Sequence, residues 1–318
     1  MSKVLIIGGG AAGMMAAVAA GENGHEVWLY EKNDRLGRKL FITGKGRCNI
    51  TNAGDMDTLF SSVMSNPKFL YSSFYTFTND QVIDFFEDLG VRTKIERGNR
   101  VFPLSDHSSD VITGLKRKME MLGVHICLET EVETVEAKDG VFQAVILKNG
   151  KRKTADACIV ATGGISYPAT GSTGDGYRFA KENGHQVFVS TGRTFYSISE
   201  GIRAMDFDGY VCGCGTHIYY RGKKLLESAV PHSMCVNVAN MLRNARIPVF
   251  YEADKAIYFD FSYPNPWLQE AMEIFATKGR NIEELFCDES ETYDKCLIFL
   301  PDTEEAGEIK TFLDAHFY

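Results

Sequence analysis

Lys3-Val4-Leu5-Ile6-Ile7-Gly8-Gly9-Gly10-Ala11-Ala12-Gly13 decides the fold at the front of this chain. A short apolar run of this kind reads as a buried parallel strand. It runs directly into glycines that fit G-x-G-x-x-G. An Ala-rich helix follows from Met14 to Gly21, then a turn at Glu22-Asn23-Gly24, then a second strand, Glu26 to Tyr30, ending on Glu31. Each part has a physical task. Gly8 permits a tight turn, Gly10 lets the backbone approach a pyrophosphate, and Gly13 lets the helix pack close to the strand. The helix N-terminus, opening at Ala11 and Ala12, offers free N–H groups and a positive dipole end to phosphate. Glu31 is placed to accept hydrogen bonds from an adenosine ribose, and an acid there disfavours a 2′-phosphate, so FAD or NAD is favoured over NADP. A purely structural βαβ turn is the plainer reading. Strand, glycines, helix, second strand and terminal acid falling in order favour dinucleotide binding.

Working outward, a second Gly-rich and basic stretch runs from Lys32 through Arg38 and Lys39 to Asn52. It can bring cations and backbone N–H groups to the same pyrophosphate; a solvated basic loop is the alternative. Val132 to Val135 and Val141 to Leu147 alternate as hairpin strands around Lys138-Asp139-Gly140. Ala157 to Val160 reads as another buried strand, stopping at Ala161-Thr162-Gly163-Gly164, where small residues let the chain pass beneath a cofactor. Cys48 reads as a small buried packing residue rather than a redox thiol, because no C-x-x-C partner stands nearby. His107 and His125 are isolated and read as surface or core residues. The aromatic cluster from Phe69 to Phe77 reads as core or a packed flap.

Four strings carry a resemblance: Gly8 to Gly13, Gly37-Arg38-Lys39 with Thr43 to Asn52, Arg100-Val101-Phe102-Pro103, and Ala161 to Tyr177. On these, residues 1–183 resemble the aminoacetone-oxidase-like, BaiN/YhiN-like family of NAD(P)/FAD-dependent oxidoreductases. The resemblance implies FAD held by Gly8, Gly10, Ala11, Ala12, Gly13, Glu31, Lys32, Arg38 and Lys39. It places Gly44, Gly46, Arg47, Cys48, Asn49 and Thr51 near pyrophosphate and flavin, and Val132 at the adenine through backbone atoms. Ala161, Thr162, Gly163, Gly164 and Asp175 complete the implied cofactor set, with NAD(P)H as a further electron donor and a small molecule as substrate. The flavin carries the chemistry, so no catalytic side chain is assigned. In that family the chain continues into an inserted substrate domain and returns with a Gly-rich segment over the flavin. Neither is read here, which implies weakened FAD affinity and exposed sheet edges.

The 318 residues amount to about two domains at ~150 residues each. With 44% hydrophobic residues there is material for a core, yet no run approaches the ~20 apolar residues of a membrane helix. Glycines 8, 9, 10 and 13 break the apolar start, so it does not read as a signal peptide. Eight cysteines without regular spacing read as reduced thiols in a cytoplasmic protein. The net charge of −8 argues against non-specific nucleic-acid binding. Residues 1–183 hold 22 Lys+Arg and 22 Asp+Glu, whereas residues 184–318 hold 12 and 20, the whole of the imbalance.

Residues 184–318 resemble a fragment of a Cof-type haloacid-dehalogenase (HAD) phosphatase, core and cap. Thr191-Gly192-Arg193 match its phosphate-binding second motif, while Cys214 stands where Asn is expected. Asp206-Phe207-Asp208-Gly209 imitates the nucleophile motif but lies downstream of Thr191 with no apolar strand leading in, so a turn is the stronger reading. No late magnesium-binding segment follows, and the acidic run Asp302–Glu308 reads as a solvated loop and helix start. The expected architecture is α/β: an incomplete Rossmann-like FAD/NAD(P)-binding domain over 1–183, then a HAD-like core/cap fragment over 184–318, with a seam near Glu182-Asn183-Gly184-His185. The leading function is an FAD-dependent oxidoreductase. Alternatives are a magnesium-dependent HAD-type phosphohydrolase and a non-catalytic fusion; the oligomeric state is left open.

Overall fold

The computed structural model describes residues 1–63, 67–228, 230–253, 256–262, 265–285, 292–298 and 304–317. The chain forms two compact units, Met1–His185 and Gln186–Tyr318, against the 183/184 division expected.

In the first unit, β1 (Lys3–Ile7), β2 (Glu26–Tyr30), β3 (His125–Cys127) and β4 (Ala157–Val160) form a parallel sheet in the order β4-β1-β2-β3. That is the strand order of a Rossmann half. Between β1 and β2, α1 (Ala11–Glu22) buries Gly13, Met14, Ala17 and Val18, one stripe at helical spacing. A second helix, α2 (Ser108–Met121), buries Val111, Leu115 and Met119 beside them, together with Val4, Ile6 and Leu29 of the sheet. On the opposite face Leu5, Ile7 and Tyr30 pack with Val132, Val145, Leu147 and with Phe179 of α3 (Asp175–Glu182). Because both faces are covered, β1 is apolar throughout rather than alternating.

The connection from β3 to β4 is an antiparallel meander over Val132–Lys138, Val141–Leu147 and Arg152–Thr154. Lys138 pairs with Val141, leaving Asp139 and Gly140 as a two-residue loop with φ of 52° and 74°, the left-handed pair a hairpin turn of this length needs. A small antiparallel sheet joins Thr51–Asn52 and Thr93–Glu96 to Arg100–Pro103. β4 departs from the buried strand expected: Ile159 and Val160 are 39% and 45% exposed on this outer strand. The aromatic run is not core either. Phe69 and Tyr75 stand mostly exposed, while Tyr71, Phe74 and Tyr75 surround the buried Phe60 at ring separations of 4.4, 5.4 and 5.7 Å.

The second unit holds two four-stranded sheets. In one, β5 (Phe188–Ser190) pairs parallel to β6 (Gly209–Cys212), which continues antiparallel through β7 (His217–Tyr220) to β8 (Lys223–Glu227). In the other, β9 (Val249–Glu252) lies antiparallel to both β10 (Ile257–Phe259) and β12 (Lys295–Ile298), with β11 (Ile282–Glu284) parallel to β10. Helices α4 (His232–Asn244) and α5 (Pro266–Thr277) bury apolar faces against the second sheet's residues. Neither is the parallel sheet that a HAD-like core requires. Asp208 is part of a turn: its carboxylate accepts from Val187 N at 2.8 Å and its carbonyl from Arg221 N at 2.9 Å. Asp302 and Thr303, and the side chain of Cys214, lie outside the described residues. Among the described residues no helix is long and apolar enough to cross a membrane.

Candidate functional site

A cavity of about 710 Å³ opens where β1, β2 and β4 end and α1 begins. Backbone bonds set the loop around it. Gly8 N donates to the Tyr30 carbonyl at 2.8 Å, and Gly37 N donates to the Gly9 carbonyl at 2.9 Å. The glycines divide the work. A Cβ at Gly8 would stand 2.5 Å from the Ala161 carbonyl oxygen, and one at Gly13 would stand 1.8 Å from that of Gly8. Those two bring helix, loop and β4 together. At Gly10 a Cβ would meet no atom within 4 Å, and Gly10 lines the cavity. No side chain caps α1 and no acid sits in its first turn, so its positive end is open to an anion.

Glu31 is buried and already engaged. Its Oε2 accepts from Gly9 N at 2.6 Å, and its Oε1 accepts from Asn33 N at 2.8 Å and Asn33 Nδ2 at 2.5 Å. The carboxylate thus fixes the glycine loop and keeps capacity at Oε2 for one more donor. Asn33 also accepts from Arg38 Nη1 at 2.6 Å. Lys32 Nζ donates to Asp175 Oδ2 and to Thr173 Oγ1, both at 2.7 Å, so this cation is neutralised locally. Arg38 and Lys39 form no ion pair with any described residue, and Lys39 Nζ lies 5.7 Å from the Tyr167 ring. Burial pushes the Tyr30 hydroxyl up to about 12, with Cys127 adding to the effect.

Of the residues expected around the cofactor, Gly8, Gly10, Ala11, Ala12, Glu31, Lys32, Arg38, Lys39, Val132, Ala161, Thr162, Gly163 and Asp175 line this cavity. Gly13 stands behind it, and Gly164 is outside the lining. Gly44, Gly46, Arg47, Cys48, Asn49 and Thr51 are outside it too. Arg47 shows why: its guanidinium binds Glu96 at 2.9 Å and Asp106 at 3.4 Å and lies 4.2 Å from the Phe102 ring. Lys94 meets the same two acids, and its hydrogen bond is the main reason the Asp106 carboxyl lies below the usual range. Cys48 is buried, and burial pushes its thiol up against a smaller opposing hydrogen bond from Thr43. The packing reading of Cys48 describes its setting. His125 stacks on Trp28 at 4.2 Å, away from the cavity lining.

Asn33, Thr130, Ser172 and Tyr177 also line the cavity and were not singled out. Asn33 has a local signal, its place two positions after Glu31, whose Oε1 accepts from both its backbone N and its Nδ2. In the second unit, Thr191, Gly192 and Arg193 form a turn beyond β5 rather than a phosphate cradle. Thr191 Oγ1 accepts from Arg193 N at 3.2 Å, and the Gly192 and Arg193 carbonyls accept from Lys295 Nζ and Gly213 N. Among the described residues, no three His, Cys, Asp or Glu side chains stand together as a metal site.

The family model of the HI0933-like protein Rossmann domain matches residues 2–284. The chain belongs to this family. The HI0933-like match runs through Glu182–His185 and well into the second unit, so one family spans the expected seam, and the HAD-like and fusion readings have no support. The chain is 34% identical over 189 residues to the 3-dehydro-bile acid delta(4,6)-reductase of Clostridium scindens, covering 59% of this chain and 45% of that protein. It is 30% identical over 188 residues to the ribosomal RNA dihydrouridine synthase of Haemophilus influenzae, covering 58% and 46%. The Escherichia coli protein of the same name is 33% identical over 183 residues, covering 58% and 44%. This HI0933-like chain spans less than half the length of these curated relatives.

Proposed function

We propose that this chain is the FAD-binding part of an FAD-dependent oxidoreductase that draws electrons from NAD(P)H and acts on a small molecule in the cytoplasm. The observation that carries the reading is the cavity at the start of α1, where Gly10 leaves open the space a side chain would fill and the helix end is uncapped. A relative named as a reductase supports the redox class. Cys48, Cys127, Cys158, Cys235 and Cys296 carry free thiols, in keeping with a reducing setting. FAD, when bound, supplies the hydride transfer itself.

The chain's own residues hold and orient. The N–H groups at Ala11 and Ala12 and the positive end of α1 would face the pyrophosphate. Arg38 and Lys39 add positive charge, with no ion pair to a described carboxylate. Glu31 would hold the glycine loop while sharing Oε2 with a ribose hydroxyl. Val132 would meet the adenine through backbone atoms, and the Ala161–Gly163 backbone would run beneath the cofactor. Titrating FAD into the purified chain tests this by calorimetry. Saturable binding that falls about tenfold in Arg38→Met is expected, a loss of about 1.4 kcal/mol. Absence of binding would refute it.

A further inference from the structure

A second cavity, about 590 Å³ in volume, lies wholly within the second unit, between the segment following β5 and the turn following α5. Arg203, Lys278 and Arg280 line it, with Ser197, Ser199 and, as the one acid among the described lining residues, Glu200. Among the described lining residues three cations face one acid, the reverse of this unit's balance of 12 Lys+Arg and 20 Asp+Glu over residues 184–318. Arg203 Nε is buried without a hydrogen-bond partner. Arg280 Nη2 donates to the Ser197 carbonyl at 2.6 Å, which fixes the guanidinium at the cavity wall. Neither arginine forms an ion pair with a described residue. Burial and the facing charges of Arg203 and Arg193 all disfavour the Arg280 cation, and Glu252 opposes this only in part. Like charges held together in a half-buried space are costly unless an anion joins them.

We propose that this cavity binds the phosphate group of a small molecule, with Arg203 and Arg280 as the principal donors and Lys278 as a point charge at the rim. Guanidinium forks match phosphate oxygens in pairs, which carboxamides and lone lysines do not. The volume is that of a ligand site rather than of a bare ion, so the phosphate is carried on a larger group or leaves room for one. Glu200 opposes the anion and sets a sign that can be tested. The site is independent of the flavin reading, since it draws on no residue of the first unit.

Hydrogen-exchange mass spectrometry of the full chain, with inorganic pyrophosphate in one arm and AMP in the other, tests the proposal at constant ionic strength. Protection is expected over 194–203 and 278–281, at concentrations rising about tenfold in Arg203→Gln and in Arg280→Gln. Lys278→Gln, an exposed change that leaves the fold intact, should weaken protection, and Glu200→Gln should strengthen it. Protection by AMP at lower concentration than pyrophosphate assigns a phosphate ester; the reverse assigns free phosphate. Protection confined to the first unit, or protection over 194–203 that is indifferent to Lys278→Gln and Glu200→Gln, overturns the proposal.

Discussion

Gly8, Gly10 and Gly13 belong to one motif and answer to different neighbours. A Cβ at Gly13 would collide with the Gly8 carbonyl at 1.8 Å, and Gly8 combines a 2.5 Å approach with φ of +108°. Gly13→Ala should therefore cost about 1–3 kcal/mol or more of stability by overpacking, read as a lower thermal midpoint. Gly10→Ala meets nothing and should leave that midpoint unchanged while lowering FAD affinity about tenfold or more. The motif and the task of each glycine are legible in the sequence; the partner each one meets, the Ala161 carbonyl for Gly8 and the Gly8 carbonyl for Gly13, is not, because Ala161 follows β4, far along the chain. Cys158 gives a pH prediction. Burial raises its thiol to about 12, so the stability linked to its protonated form is complete below the unfolded thiol's ~8.5 and is lost as pH climbs toward about 12. Iodoacetamide at pH 8 should leave Cys158 and Cys48 unmodified in the native chain and modify both in urea. Rapid native labelling of Cys48 would contradict its packing role.

At the scale of elements, the basic stretch after Glu31 splits in two. Arg38 and Lys39 reach the cavity, whereas Arg47 is drawn to Glu96 and Asp106, 49 and 59 positions downstream. The basic composition alone allows a pyrophosphate contact or a solvated loop, and the resemblance implies the first for both halves, because nothing in the stretch announces so distant a pairing. Arg47→Met should lower the thermal midpoint by about 2–4 °C, as for a loss of ~1 kcal/mol in a half-exposed network, and leave FAD affinity as it is. Arg38→Met should do the opposite. Differential scanning calorimetry beside FAD titration separates the two. The hairpin of Val132–Lys138 and Val141–Leu147 is readable because Asp139-Gly140 encodes its turn in two adjacent residues, whereas the third strand, Arg152–Thr154, has no such signal.

Over the whole molecule, what was legible follows the range of the interactions. The front strand, glycines and helix are specified within about one βαβ unit, and the sheet order β4-β1-β2-β3 completes a Rossmann half around them. The second unit departs from the HAD-like expectation because short apolar strands and an Asp-x-Asp-Gly turn look alike in many folds, while strand direction is set by distant partners. Its pairings are largely antiparallel, and the family match continues across the expected seam. Ligand binding that favours the native state should raise the unfolding midpoint, by about 2.7 kcal/mol of stabilisation at a hundredfold excess over Kd. The most direct measurement is gel filtration of the purified chain after incubation with FAD, recording flavin and protein absorbance together. Co-elution in equal amounts, reduced in Gly10→Ala, is the predicted result; a colourless protein peak with all flavin in the small-molecule fraction would contradict the assignment of the first cavity.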